Sequence, residues 1–497
     1  MLTAILVVPV GVALLGCLLP SRSTGWWAFA GSLVSVGLAI ALVAGFDASS
    51  GALQDYVNEP WIPELGVSFE LGVDGLSLFL VLLTSVLWSA AILYSALQVP
   101  DRARSYFLWL GIAQSATLGA FLTQDLLLFV LFFDLMLIPF YFLVGAWGTG
   151  ERITAAIKMI VFTFTGSLLM LAAAIATAVL SADAVGGLTF SLETLRTVPL
   201  AEGSQYWIFC FFALAFLVKM PAFLVHGWMA DAYRACPLPV LVLLGGVLSK
   251  VAAYGFLRVA LPLFPDAAAH FQTLLLIVAL CSIIYGSVMA FTQTNLRLIV
   301  GYSSIAQMGF ITLGIFSLAS DGGDGAVIQM VNHGLVVAPI FFIIALVAER
   351  AGSEDLRELG GMAMRAPILA ILFIIVTMAL LAIPGSANFV GEFFILSGVF
   401  HSKAAIALIA SSGIALAAFY ALRMYQRMMH NRLPEGIESR EITLRESFVL
   451  VPLVLCVIGL ALYPGLITTR GEASVDRSLA SVCEGSSACP GDLEARR

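Results

Sequence analysis

The stretch DLLLFVLFFDLMLIPFYFLVGAWG, Asp125 to Gly148, carries one carboxylate, Asp134, in an otherwise apolar interior. Three comparable groups stand in runs of the same kind: Lys219 in CFFALAFLVKMPAFLVHGW, Lys250 in LVLLGGVLSKVAAYGFLRV, and Glu392 in a long run interrupted by Pro384, Gly385 and Ser386. Each ion at the centre of a membrane helix costs about 2.5–3.5 kcal/mol, on the order of 10–14 kcal/mol for the four. That rivals the stability of a whole domain, so the groups must face one another or water, and two acids with two lysines would neutralise each other. The chemistry this permits is proton transfer. Burial favours a neutral lysine and a neighbouring carboxylate favours a charged one, so moving or neutralising the acid lets the proton go. Fixed ion pairs that lock helices together are the plainer alternative.

Histidines extend the set. His333 lies in AVIQMVNHGLVVAPIFFIIAL and could take up and return a proton near neutral pH. His226 follows Lys219 by two turns of one helical face, unless Pro221 disturbs the register. His270, His401 and His430 fall near helix ends or loops and read as solvated. Lys158 reads as snorkelling from the inner end of its helix, and Asp125 and Asp231 as helix-end or loop residues.

The elements that must position these groups follow from composition. Of 497 residues, 61% are hydrophobic and 11% charged, with mean hydropathy +1.02, whereas soluble domains carry roughly 25% charged residues. The chain therefore reads as an all-α polytopic membrane protein, because helices satisfy their own backbone groups in lipid and long alternating strands are absent. Apolar runs of spanning length number about fourteen: near 2–20, 26–46, 75–97, 106–123, 125–147, 156–180, 206–228, 239–261, 270–292, 297–318, 325–348, 367–400, 404–428 and 447–467. The first lacks a basic leader and a small-residue cleavage site, and reads as a retained span.

With the N-terminus outside, the inner loops hold the larger share of arginines, among them Arg22, Arg102, Arg104, Arg152 and Arg234, and the acidic segment Asp47 to Asp74 falls outside. Both termini are then expected on the outer face. A net charge of −7 with no basic stripe speaks against nucleic-acid binding. Of the seven cysteines, none forms a CxxC pair, so metal or iron–sulfur ligation has no motif. Cys483 and Cys489 in the polar tail are either a small disulfide loop or two free thiols. No dinucleotide or P-loop fingerprint is present.

Two spans are broken. Pro221 follows Lys219, and Pro384–Gly385–Ser386 interrupt the twelfth run eight residues before Glu392. These are spans seven and twelve, and an offset of five inverts the second unit relative to the first, as in transporters with discontinuous helices.

FFDLMLIPFYFLVGAWG, FLVKMPAFLVHGWMADA, GGVLSKVAAYGFLR, GYSSIAQMGFITLGI and NFVGEFFIL together resemble the antiporter-like subunits of proton-pumping NADH:quinone oxidoreductase, respiratory complex I, over roughly residues 70–430. The resemblance implies about fourteen transmembrane helices with two inverted five-helix repeats and discontinuous helices 7 and 12. It divides the chain into helices 1–3 with an acidic outer loop (1–105), a first repeat of helices 4–8 (106–261), a second of helices 9–13 (262–430), and an inner loop, helix 14 and polar tail (431–497). It implies a proton relay in which Asp134 pairs with Lys219, Lys250 is the central lysine and His333 the histidine of span eleven. Sister chains L and N and the sodium/proton antiporter subunits usually carry a lysine in span twelve, whereas M-type chains carry a glutamate, as here at 392. Asp134 stands where the family usually has glutamate, and WMADAYRACPLPV where it usually has WLPDAH followed by APTxxS, so no role transfers to Tyr233.

The implied function is proton pumping coupled to quinone reduction in the bacterial inner membrane. The chain would hold no cofactor, with NADH, FMN and iron–sulfur clusters in partner subunits and antiporter-like neighbours on both sides. The alternatives are a Na⁺/H⁺ antiporter subunit of Mrp type, the equivalent chain of a membrane-bound hydrogenase, or a static membrane spacer.

Overall fold

The computed structural model describes residues 1–432, 439–483 and 489. The helices of the first half are α1 Leu2–Gly16, α2 Ser21–Gly45, α3 Leu78–Gln98, α4 Ala103–Leu122, α5 Leu126–Leu135, α6 Leu137–Trp147, α7 Arg152–Val185, the short α8 Leu192–Arg196, α9 Glu202–Lys219 and α10 Met229–Ala235. The segment Leu238–Leu263 follows as one span made of α11 Leu238–Leu243, α12 Ser249–Gly255 and α13 Leu261–Leu263, joined by π turns at Leu244–Leu248 and Phe256–Ala260. The second half holds α14 Pro265–Thr292, α15 Leu296–Ile315, α16 Ser320–Ala351, α17 Pro367–Leu380, α18 Ala387–Met429, α19 Leu444–Leu462 and α20 Gly465–Cys483.

Every one of the fourteen apolar runs carries helix, but eleven helical segments among the described residues are long and apolar enough to cross a membrane. The difference has physical causes. α1 is short, α9 carries Glu202 and Lys219 at its ends, and α18 runs through the last part of the twelfth run and all of the thirteenth, with only a kink at Lys403 (φ −146°) between them. The two expected breaks are present. α9 stops at Lys219 because Pro221 has no amide hydrogen to continue the ladder, and Leu224 beyond it takes φ +76°. α17 stops at Leu380, and Ala382 (φ +53°) and Gly385 (φ +90°) turn the chain before α18 begins.

Burial sorts the spans into an interior and a shell. Segment 238–263, α15 and α16 are wholly enclosed by protein, whereas α2, α7, α18 and α19 turn most of their surface outward. Val161, Leu168, Ile409, Phe419 and Leu455 are exposed on that shell, which suits a hydrocarbon surround and not water. α14 lies close along α15 because Gly286 has no side chain: a Cβ there would stand 2.7 Å from the Ala306 nitrogen, the small-residue contact on which membrane helices rely.

Two elements were not anticipated from the sequence. Within the acidic segment Asp47 to Asp74, β1 Gln54–Ile62 and β2 Val67–Val73 form an antiparallel hairpin in which Gln54 faces Val73 and Ile62 faces Val67. Its turn runs through Pro63–Leu65 and closes on Gly66 at φ +67°, a conformation that glycine adopts without a Cβ clash. The hairpin is pinned inward by Asp125, which caps α5 through Leu128 N and also accepts from Ser68 N. The second element is α20, which occupies the start of what reads as a polar tail. It reaches the first half through Ser474 to Gly75 N (2.9 Å) and Arg477 to Glu193, and the second half through Asp476 to Ser320. Cys483 at its end is joined to Cys489, so of the two readings of that pair the disulfide is the one found.

Under the hairpin, Arg258 and Asp74 form an ion pair at 2.7 Å with both side chains almost fully buried, and Arg258 also donates to Gln124 Oε1. This pair fastens the start of α3 to the second π turn.

Candidate functional site

Lys219 is the last residue of α9, where unsatisfied helix carbonyls favour a cation. Its Nζ donates to the Phe133 carbonyl at 2.5 Å and lies 3.6 Å from the centroid of the Phe133 ring, so a backbone dipole and a ring face both stabilise the ammonium. That carbonyl is in the last turn of α5, just before the turn at Met136 where the span is interrupted, which is where helix carbonyls lack partners. Asp134 is the next residue. It faces Ser167 and Lys219, and its Oδ1 is buried without a hydrogen-bond partner.

A narrow cavity of about 10 Å³ opens beside Lys219, lined by Thr163, Tyr233, Ser249 and apolar neighbours. That is about the room needed by one water, and the polar wall supplies its partners. Across the cavity, Ser249 Oγ is 3.3 Å from Lys250 Nζ.

Lys250 is completely buried. Its Nζ donates to the Gly245 carbonyl at 2.7 Å, five residues back, and meets His333 Nδ1 at 2.8 Å. The first π turn explains the first contact, since it widens the helix where Gly245 sits and disturbs the regular ladder. His333 lies on α16, also with no exposed surface, and its Nε2 has no partner.

Glu392 lies on α18 and is 2% exposed. Gln307 Nε2 of α15 donates to its Oε1 at 2.8 Å, and Gln329 Nε2 of α16 donates to Gln307 Oε1 at 2.6 Å. Gln329 stands one helical turn before His333 on the same face of α16. Lys219, Ser249, Lys250, His333, Gln329, Gln307 and Glu392 therefore succeed one another through the enclosed middle of the fold.

The structure departs from two sequence expectations here. The acids and lysines do not neutralise each other in contact pairs: the ion pairs among the described residues join other groups, such as Arg258 with Asp74 and Lys158 with Asp231 (2.7 Å). Backbone carbonyls, a phenyl ring, an imidazole and an amide take the partners' places, because helix breaks and the π turn bring those groups within reach. His226 does not share a helical face with Lys219, since α9 has ended. Its Nε2 lies 3.0 Å from the Tyr285 hydroxyl, beside Tyr302 and off the row.

Sequence reasoning passed over Ser249, Gln307 and Gln329 and assigned no role to Tyr233. The two glutamines had a visible signal, since each is an amide in an otherwise apolar helix: GYSSIAQMGF and AVIQMVNHG. Tyr233 had none; only the fold brings its ring to the Lys219 cavity. Among the described residues no cluster of three or more His, Cys, Asp or Glu side chains is placed to hold a metal.

Residues 123–417 match a family model described as NADH:quinone oxidoreductase/Mrp antiporter, TM. The NADH-quinone oxidoreductase subunit M of Rhodobacter capsulatus is 36% identical over 456 residues, covering 90% of this chain and 88% of that one. Its counterpart in Escherichia coli (strain K12) is 36% identical over 462 residues, covering 89% and 91%. A chain of respiratory complex I from Thermus thermophilus with bound NADH superposes with a TM-score of 0.89 at 29% identity, covering 97% of this chain and all of that one. A chain of the Mrp complex from Dietzia sp. DQ12-45-1b shares the fold, with a TM-score of 0.85 at 20% identity.

Proposed function

Because the chain belongs to the NADH:quinone oxidoreductase/Mrp antiporter membrane family, we propose that it is the proton-translocating, M-type membrane-arm subunit of an NADH:quinone oxidoreductase. The observation that carries the mechanism is the succession of buried polar groups from Lys219 to Glu392, whose middle members Lys250, His333, Gln329 and Gln307 stand on the enclosed spans 238–263, α15 and α16. Lys250 and His333 share a hydrogen bond, so a proton can pass between them without a large movement. A water in the Lys219 cavity would link Lys219 to Ser249 and so to Lys250. Asp134, beside Lys219, sets how firmly that lysine holds its charge; a change at Asp134 from outside the chain is then felt along the row. His226 belongs to the flank of this path, at the break that follows Lys219.

In this reading the chain itself has no redox chemistry. NADH oxidation and quinone reduction supply the energy in partner subunits, which would hold the FMN and iron–sulfur clusters, and antiporter-like chains would flank this one. The membrane is the bacterial inner membrane, with both termini on the outer face. The two breaks mark two inverted five-helix units, 106–261 and 262–430, preceded by 1–105 and followed by 431–497. Glu392 in place of lysine and the subunit M relatives favour this reading over an Mrp-type antiporter, with which the likeness is one of fold.

Replacement of Lys219 by Ala in the assembled complex tests it. Protons pumped per electron should fall while the complex remains assembled. An unchanged ratio with normal electron transfer would leave the row a static scaffold.

A further inference from the structure

The relay reading leaves one link unexplained: how the Lys250–His333 pair senses Glu392. Two glutamine side chains fill the interval, and both are 0–1% exposed. Their donors point one way. Gln307 Nε2 serves Glu392 Oε1, and Gln329 Nε2 serves Gln307 Oε1. The far end of this chain, Gln329 Oε1, is buried and accepts nothing, as is His333 Nε2 one turn away on α16. An unpaired buried polar atom is costly, and here two lie on one helical face at the end of an ordered chain.

A carboxamide is both donor and acceptor and does not ionise near neutral pH. The two glutamines therefore cannot carry the proton as acids or bases. They can carry its polarity. The observed orientation suits an ionised Glu392, which only accepts. Once protonated on the oxygen that Gln307 serves, Glu392 must donate, and the nearest acceptor is obtained by turning the Gln307 amide end for end. Its Nε2 then faces Gln329, which must turn as well, and the free end of the chain, one turn from His333 on α16, changes from acceptor to donor. An acceptor beside Nε2 favours a proton there; a donor disfavours one.

Resting on the relay reading above, we propose that Gln307 and Gln329 form a reversible amide bridge, positioning residues whose joint orientation tells His333 whether Glu392 holds a proton. Gly391 supplies the space. A Cβ at that position would lie 2.4 Å from Gln329 Oε1 and 3.0 Å from Gln329 Cβ, so α18 passes the second amide closely enough that any side chain would obstruct its turning.

The test uses the assembled complex in membranes of the source organism. Gln307→Met and Gln329→Met keep length and remove both hydrogen-bonding roles. Each should lower protons pumped per electron as far as Glu392→Gln does, and combining either with Glu392→Gln should cause no further loss. Gly391→Ala should reproduce the defect with both amides present. If Glu392→Gln lowers pumping while the methionine variants pump normally, the bridge is wrong and the relay stands; if Glu392→Gln itself pumps normally, the role of Glu392 fails first. Should the methionine variants not assemble, infrared difference spectra of the unaltered complex with isotope-labelled glutamine decide. Side-chain amide bands that change together with the Glu392 carboxyl band support the bridge, and amide bands that stay fixed while that carboxyl band changes overturn it.

Discussion

Lys250 Nζ and His333 Nδ1 meet at 2.8 Å, and this hydrogen bond joins two of the three fully enclosed spans among the described residues, 238–263 and α16. Two positive charges at that separation would repel strongly in a low-dielectric interior, so the pair holds at most one charge between two bases. Lys250→Met and His333→Leu should each cut pumping per electron, and the double variant should be no worse than the poorer single, since residues acting as one unit are not additive. Dye-quench pumping assays normalised to NADH oxidation measure this; fully additive losses would mean two separate roles.

Asp134 tests the other end of the row. Its side chain is one methylene shorter than glutamate, faces Ser167 and Lys219, and leaves Oδ1 unpartnered. Asp134→Glu should retain pumping, because the longer side chain keeps the charge beside Lys219. Asp134→Asn should impair it while leaving assembly intact. Equal pumping by the Asn variant would remove this position from the path.

The Asp74–Arg258 pair concerns stability. Removing one partner of a buried ion pair typically costs about 3–5 kcal/mol, because the other charge is left uncompensated. Asp74→Ala should therefore deplete assembled subunit sharply and lower its melting temperature in detergent. Asp74→Leu with Arg258→Met should recover much of the loss, and a double variant as poor as the single would show that the pair does more than cancel charge.

Much of this organisation was legible in the residues. The apolar runs, the breaks at Pro221 and Pro384, and the ions at Asp134, Lys219, Lys250 and Glu392 all announce themselves by residue type in an oily background. What could not be read was contact. Nothing local says that Lys219 turns to the Phe133 carbonyl, or that His226 leaves the face of Lys219, because both depend on where a chain goes after its helix ends. The hairpin was missed because its strands lie in a polar segment outside the apolar runs and lack a regular alternation, and α20 because a polar amphipathic helix resembles a tail until its Ser474 and Arg477 contacts exist.

The hairpin offers a pH test outside the membrane. Glu70 on β2 has no exposed surface, and accepts from the Tyr56 hydroxyl at 2.5 Å and from Ser191 at 3.2 Å. Burial pushes its carboxyl above the usual value, the hydrogen bonds from Tyr56 and Ser191 oppose this, and Asp125 adds to the rise. In the window between its ordinary and raised values the folded hairpin binds more protons than the unfolded one, so stability falls as pH rises. The protection of the hairpin amides against hydrogen exchange, taken relative to the base-catalysed intrinsic rate, should fall across that window and level off above it, and Glu70→Gln should flatten the profile. A wild-type profile with no slope there would refute the assignment.

The first π turn makes the chemistry of Lys250 a matter of counting. An α-helix advances about 100° per residue, and the turn at Leu244–Leu248 holds one residue more than a regular coil would need. Deleting a single apolar residue from it would change neither hydropathy nor the ability to cross lipid. It would close the widened turn and return the Gly245 carbonyl to the regular ladder, taking from the ammonium the acceptor it now has. An oily segment with every functional residue intact would then be silent for want of the right number of spacers.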